Sequence, residues 1–284
     1  LRQQENIENF SFLQLDKDKR KIYFKQGDWT LDNDLIIPAK HTLYIPEGVS
    51  IDMLNSAMLL SYSPIVISGS NDKYVKIFSS DNSGQGITVF NAKKESSLKF
   101  VTFQNLSQPK RDGWELTSAI NFYESPVHMY EAHFENNLDG DDYVNITRSN
   151  FTINHSSFVN SYSDSLDVDF SEGVINDSVF NNCGFGNNNG DCLDFSGSRI
   201  NMDNIIIDRV SDKGLSLGEG SNITIKNLKI QFAKIAVAGK DLSEVDIDNL
   251  TINFCDVGIT VFQKKSEFRP SSININGLKM DGVK

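Results

Sequence analysis

Short runs of the form apolar–x–apolar recur through the second half of the chain at a nearly constant step. They begin at Val144, Leu166, Leu193, Leu215, Val237 and Ile259, and the steps are 22, 27, 22, 22 and 22 residues. A self-similar period of this length marks a solenoid, in which each repeat can bury its apolar face only against its neighbours. The one long step contains Gly184-Phe185-Gly186-Asn187-Asn188-Asn189-Gly190, which reads as a loop extruded from an otherwise constant coil.

Each repeat carries two further runs. The second starts at Phe151, Val174, Ile200, Ile223, Val245 and Ile273, and the third holds Phe158, Phe180, Ile205, Leu228, Leu250 and Leu278. Three period-2 stretches per repeat, separated by Asn, Asp, Ser and Gly, exclude a helical solenoid. They predict an all-β parallel β-helix with coils of about 22 residues. Asn recurs between the second and third runs, at Asn154, Asn176, Asn204, Asn227, Asn249 and Asn276, where stacked amides can bond the coils above and below.

The first half fits the same scheme less regularly. Gly86-Ile87-Thr88-Val89-Phe90 resembles Gly258-Ile259-Thr260-Val261-Phe262, and residues 104–117 read as a loop bulging from a coil before Ile120. The domain reading is an N-terminal cap or linker over 1–26 and a β-helix over 27–284. A cap is required because an open β-helix end is a sheet edge prone to aggregation. The chain starts without Met or a signal-type apolar stretch and stops just after a third run, which predicts a piece of a longer protein with flanking domains.

Composition removes several classes. With 27 Lys+Arg against 38 Asp+Glu the net charge is −11, which argues against nucleic acid or an anionic membrane as the main partner. No run of about 18 apolar residues could span a membrane. Cys183, Cys192 and Cys255 lack the spacing of a zinc site, and buried free thiols are expected in preference to a Cys183–Cys192 bridge. His41, His128 and His155 lie off the repeat columns, and neither a nucleophile elbow nor a phosphate loop is present.

Alternation fixes which polar groups share a surface. If Leu166 and Val168, Leu193 and Phe195, and Leu215 and Leu217 face the core, then Asp167, Asp169, Asp194, Ser216 and Lys240 face outward. Stacked coils turn equivalent positions into columns: Asn145, Asp167, Asp194, Ser216; Thr147, Asp169, Ser196, Gly218, Lys240; and, at the turn before the strand, Asp142, Asp164, Asp191, Lys213. Glu219 and Lys264 lie just beyond. Two carboxylates about 5 Å apart repel by roughly 3 kcal/mol at an effective dielectric near 20. The crowding leaves three readings open: solvated aspartates offset by lysines, a saccharide-processing cleft, or a divalent cation site, with Ca²⁺ suited to all-oxygen ligands.

The layout Ser163-Asp164-Ser165-Leu166-Asp167, Gly190-Asp191-Cys192-Leu193 and Lys213-Gly214-Leu215-Ser216-Leu217-Gly218 resembles the pectin-lyase-like superfamily of right-handed parallel β-helices. Within it the chain looks most like polygalacturonase-type glycoside hydrolases, whose clefts carry Asn-Thr-Asp, Asp-Asp, Gly-His-Gly and Arg-Ile-Lys motifs. The resemblance implies that Asp164 matches the acid of the first motif, Asp191 the second acid of the pair, Lys213 the histidine and Lys240 the lysine. Ser163, Gly190 and Lys213 depart from the pattern. The runs from Asp212 to Ser221, Lys240 to Ser243 and Gln263 to Lys265 are similar to uncharacterised bacterial β-helix repeat proteins, some found beside spore-coat-type kinase-like domains.

These readings converge on a secreted or cell-surface protein directed at a polysaccharide, as a hydrolase, lyase or epimerase, with a non-catalytic glycan-, cation- or partner-binding module as the alternative. The expected catalytic residues are Asp164, Asp191, Asp194, Lys213 and Lys240. Asp167, Asp169, Ser216, Glu219 and Lys264 are expected to bind substrate, and Asp167, Asp169 and Asp194 to hold a cation if one is present. Aromatic stacking platforms are expected to be few, with Phe262 and Phe268 as candidates.

Overall fold

The inward column forms as a ladder of parallel pairs. Val144 pairs with Leu166, Leu166 with Leu193, Leu193 with Leu215, Leu215 with Val237, and Val237 with Ile259. The first five are fully buried, and Ile259, on the last such coil, is half-buried. This computed structural model describes residues 4–186 and 189–284, so Asn187 and Asn188 of the extruded loop lie outside the described residues. The chain winds as a parallel β-helix whose coils contribute to three sheets around one apolar core.

Sheet 1 contains Leu35–Ile37, Leu59–Ser61, Ile87–Phe90, Ser118–Tyr123, Asp142–Thr147, Asp164–Asp169 and Leu193–Ser196, continues through 213–218 and 235–240, and ends at Val257–Phe262. Sheets 2 and 3 follow in each coil. Most coils of the second half keep the constant length of the repeat, as from Asn145 to Asp167, whereas the coil from Ile87 to Ile120 is half as long again. The extra length of that early coil is spent in a loop. Of the expected loop 104–117, Gln104 still pairs with Glu135 and Leu106 is buried in the core, so only 108–117 leave the helix, carrying a small hairpin of Lys110–Arg111 against Trp114–Glu115.

A coil must change direction three times within a few residues, and single left-handed residues do this. Arg148 and Phe170 turn the chain from sheet 1 to sheet 2 (φ 49° each), His155 and Asp177 from sheet 2 to sheet 3, and Asn136, Asn160 and Asn182 from sheet 3 back to sheet 1. Non-glycine residues are strained there by about 1 kcal/mol or more. The N–H of each corner residue between sheets 1 and 2 is satisfied by the next coil: Glu124 donates to Thr147 O, Arg148 to Asp169 O, and Phe170 to Ser196 O.

The corners are reinforced by stacked polar side chains. The Ser149 hydroxyl accepts the Ser125 N–H, that of Ser171 the Ser149 N–H, and that of Ser198 the Ser171 N–H, at 2.8–3.1 Å. This buried serine ladder lies beyond what the repeat predicts. The six repeated asparagines divide between two neighbouring columns instead of forming one. Asn176 donates to Asn154 (3.0 Å) and Asn249 to Asn227 (3.1 Å), but Asn204 and Asn276 bond Asp177 and Asp248. The reason is register: Asp203 stands opposite Asn176, and Gly277 opposite Asn249. A second ladder, Asn136–Asn160–Asn182, forms at the corner leading into sheet 1.

Inside the solenoid, Phe103, Phe134, Phe158 and Phe180 form a column of stacked rings with centroids 4.5–5.0 Å apart. Cys183 and Cys192 are joined by a disulfide, contrary to the expectation of free thiols, while Cys255 is a buried thiol. The chain returns beside its point of departure after the extruded loop, which brings the two Cα atoms to 5.3 Å. At the N-terminus, Leu13–Asp16 and Lys21–Phe24 form an antiparallel hairpin, and Lys21–Phe24 also pairs in parallel with Thr42–Pro46. Ile7 and Phe12 lie in the same core as the first coils.

Candidate functional site

The outward face of sheet 1 carries the acidic columns in the expected register. Asn121, Asn145, Asp167, Asp194, Ser216 and Ala238 stand opposite one another on successive coils, as do Tyr123, Thr147, Asp169, Ser196 and Gly218. The column before the strand begins Ser118, Asp142, Asp164. It is joined side chain to backbone: Asp164 Oδ1 accepts the Asp191 N–H at 2.8 Å, and Asp191 Oδ1 accepts the Lys213 N–H at 2.9 Å. Aspartate recurs there because its short carboxylate reaches one coil up and satisfies a strand-entry donor.

The electrostatics follow from burial beneath neighbouring coils. The Asp164 carboxyl is pushed up to about 9, first by burial and then by Asp191 and Asp142. Burial and Asp141 raise Asp142 to about 7. Asp167 is driven well above the ordinary carboxylate range by burial and by Asp142, and Asp169 is also raised, chiefly by burial. One coil earlier, Asn145 donates to Asp167 at 2.8 Å and to Asp169 at 3.3 Å, so an amide bridges two acids that would otherwise repel.

Two lysines meet the other end of the cluster. Lys213 Nζ lies 3.1 Å from Asp191 Oδ1 and also pairs with Asp212. Burial pulls the Lys213 ammonium down, but Asp191 and Asp212 outweigh it and hold its pKa above the ordinary value. Lys240 is buried rather than outward-exposed: Nζ donates to Ser216 Oγ at 2.7 Å and sits 3.8 Å from Asp194 Oδ1. Ser216 is likewise fully buried, because the Lys240 chain lies across it, so it is not open to a substrate.

The remaining site residues divide. Glu219 is taken by Lys265, while the Lys264 N–H donates to the buried Asp241 at 2.6 Å and its side chain joins no ion pair among the described residues. The carboxylates whose oxygens converge are not the three expected together, Asp167, Asp169 and Asp194. One carboxylate oxygen from each of Asp164, Asp191 and Asp194 lies within 4.8 Å of the others, whereas Asp167 and Asp169 are engaged by Asn145. The converging trio could supply oxygens to a divalent ion. Lys213 and Lys240 already bring positive charge to Asp191 and Asp194, so an ion would compete with them.

The aromatic part of this face lies outside the residues expected from sequence. Phe90 stacks on Tyr123 at 4.8 Å, Tyr62 meets Phe90 edge-on at 6.5 Å, and the Arg148 guanidinium lies 5.9 Å from the Tyr123 ring centre. Tyr123 leads directly into the Thr147–Asp169 column. Residues Glu115, Leu116 and Thr117 wall this stretch, enclosing a cleft of about 290 Å³ floored by Asn121, Asn145, Asp167 and Asp169. Phe262 is partly exposed farther along the same column. The signal was present as Tyr62, Phe90 and Tyr123, but unequal early coils hid their common register. A larger cavity of about 1020 Å³ lies between the N-terminal segment and the loop 108–117. Several of its polar groups are used internally, by the Arg111–Asp34 pair and by Asn6, which bonds Asp34 O and the Ile36 N–H.

No family model matches the chain, and no curated protein matches it. Among solved structures it is similar to PfbA, a surface adhesin of Streptococcus pneumoniae, with 11% identity, 93% of this chain and 92% of that one covered, and a TM-score of 0.46. It is also similar to tailspike protein 2 of an Escherichia coli O157:H7 bacteriophage (10% identity, 90% and 42% covered, TM-score 0.45). A third is the periplasmic alginate epimerase AlgG (9% identity, 95% and 80% covered, TM-score 0.38). Likeness at this level assigns no activity; the parallel β-helix rests on the strand pairing itself.

Proposed function

We propose that the protein is a secreted or surface-exposed β-helix that binds a polysaccharide along sheet 1 and hydrolyses it at the acidic cluster. The observation that carries this reading is the juxtaposition on one face of an aromatic ladder, Tyr62–Phe90–Tyr123, with a carboxyl cluster in which burial raises Asp164 and Lys240 stands beside Asp194. Asp164, held up to about 9, keeps its proton at neutral pH and suits the role of general acid toward a glycosidic oxygen. Asp194, the more accessible neighbour, lies 3.8 Å from the Lys240 ammonium and suits the role of base or nucleophile.

Asp191 acts in this reading through position, since the Lys213 ammonium and the Lys213 N–H occupy it. Lys213 is a poor general base because its neighbours stabilise the protonated form, which disfavours the lyase and epimerase alternatives that would use it. The Cys183–Cys192 bridge supports an oxidising compartment. A non-catalytic binding module is the second reading, favoured by the structural use of Asp164 and Asp191 as acceptors for backbone donors.

Incubation with neutral and acidic glycans, following reducing ends, unsaturated products and binding, separates the two. Turnover is expected without unsaturated products, and Asp164→Asn is expected to lower it by about 100-fold or more while binding persists. Binding without turnover would leave the module. Unsaturated products would replace hydrolysis by elimination.

A further inference from the structure

At the corner between sheets 1 and 2, on the first coils, a cavity of about 610 Å³ opens beside the aromatic ladder. Its charged lining is basic throughout: Lys19 and Arg20 from the hairpin turn, Lys40 from one corner, and Lys93 and Lys94 from the turn after Phe90, with His41 beside Lys40. No Asp or Glu lines it, in a chain whose net charge is −11. Lys19 is held by Asp16 at 3.5 Å and Lys93 by the Asn91 amide oxygen. Arg20, Lys40 and Lys94 make no ion pair among the described residues, and their sequence neighbours Asp18 and Glu95 lie outside the cavity lining. Like charges gathered in a concavity repel one another unless an anion enters.

Phe90 belongs to both cavities, walling the basic one and the cleft floored by Asp167 and Asp169. From Phe90 the outer column runs through Tyr123 and Thr147 to Asp169, three coil steps. At about 4.8 Å per step this is roughly 14 Å, the reach of a short oligosaccharide. Anything bound along the face therefore meets cations at one end and crowded carboxyls at the other.

We propose that the basic cavity is an anion subsite, which anchors a carboxylate- or sulfate-bearing sugar of the same glycan whose uncharged portion crosses Tyr123 to the acidic cluster. This rests on the reading of sheet 1 as a glycan-binding face. The polarity disfavours a uniformly charged polyuronate as the preferred ligand, because no lysine or arginine lines the cleft floored by Asp167 and Asp169 to meet its remaining carboxylates. It selects a chain with an isolated anionic unit a few sugars from the reacting bond. The guanidinium fork of Arg20 can meet either planar carboxylate or sulfate oxygens.

Calorimetry on the whole protein tests this with a neutral oligosaccharide, the same chain bearing one terminal uronate, the same chain bearing one sulfate, and a homopolyuronate. The singly charged chains are expected to bind about tenfold or more tighter than the neutral one, and the two differ in rank according to the anion the cavity prefers. The gain should shrink at high salt and disappear in Lys40→Ala/Lys94→Ala, two exposed side chains whose loss leaves the core intact. Equal affinity for neutral and charged chains in both proteins would overturn the subsite and leave the binding face standing. Free glucuronate or sulfate binding in a Lys40- and Lys94-dependent way, with no oligosaccharide bound, would keep the cavity as an anion site but overturn its place on a glycan path. Tightest binding of the homopolyuronate would overturn the proposed polarity.

Discussion

Lys213 shows how one side chain can hold an acidic face together. Its ammonium meets Asp191 and Asp212, and its backbone N–H meets Asp191 again. Lys213→Met would leave Asp191, whose side chain is 7% exposed, without its cation. The expected loss is about 3 kcal/mol in denaturant unfolding at pH 8, and it should shrink as the pH is lowered and Asp191, raised by burial, takes up a proton. An unchanged midpoint at pH 8 would show that the pair does not support the fold. The neighbouring acids make a second prediction, with a definite sign. Asp142, Asp164, Asp167, Asp169 and Asp191 are all raised above 3.8, to about 7 and about 9 for the first two. The folded protein therefore holds protons that the unfolded chain has released, and stability should fall as pH rises from about 4 toward 9. Asp16, Asp81 and Asp203 are lowered and act in the opposite sense, but only below that window. Thermal midpoints measured across the window should decline, and Asp167→Asn should flatten the decline; a flat profile in the native protein would remove the proton-loaded cluster.

Strands and corners were unequally legible. Where coils keep one length, as from Leu193 to Ile259, apolar alternation fixed both the inward column and the outward acids. Where coil length varies, as between Phe90 and Tyr123, the loop 108–117 intervenes and nothing local ties the two rings, so the aromatic ladder was hidden. The buried serines at positions 125, 149, 171 and 198 also follow the repeat, yet serine is so common in turns that its identity alone did not distinguish a ladder from a loop. Lys240 and Ser216 alternate correctly but are covered, because strand period says which way a side chain leaves the sheet and not what lies over it. Spacing alone could not decide the disulfide, since only the path of the chain around the loop brings Cys183 and Cys192 together. Closing so short a loop is expected to contribute about 2–3 kcal/mol. Cys183→Ser/Cys192→Ser should lower the unfolding free energy by that amount, with reduction of the native protein giving a similar shift; no change in either would show that the bridge contributes nothing to stability.

Across the whole molecule the solenoid converts a sequence period into distance, and a ligand lying parallel to its axis crosses one coil about every 4.8 Å. From Phe90 through Tyr123, Thr147 and Asp169 to Ser196 is four such steps, or roughly 19 Å. The acids begin at Asp169, three steps or roughly 14 Å from Phe90, and a ligand shorter than that cannot stack on Phe90 and reach Asp169 together. Affinity should therefore climb with oligosaccharide length until the chain spans both parts and then level off, whereas a site confined to one coil would saturate at a mono- or disaccharide. Tyr123→Ala, at the junction of the two parts, should cost about tenfold for spanning chains and much less for those too short to reach it. On the proposed hydrolytic reading, turnover should depend on length in the same way, because stacking energy distant from the reacting bond would help to hold it at the acidic cluster. Titration with a graded oligosaccharide series, with and without the Tyr123 ring, measures this directly. A length-independent affinity would mean that the coils do not act as one continuous surface.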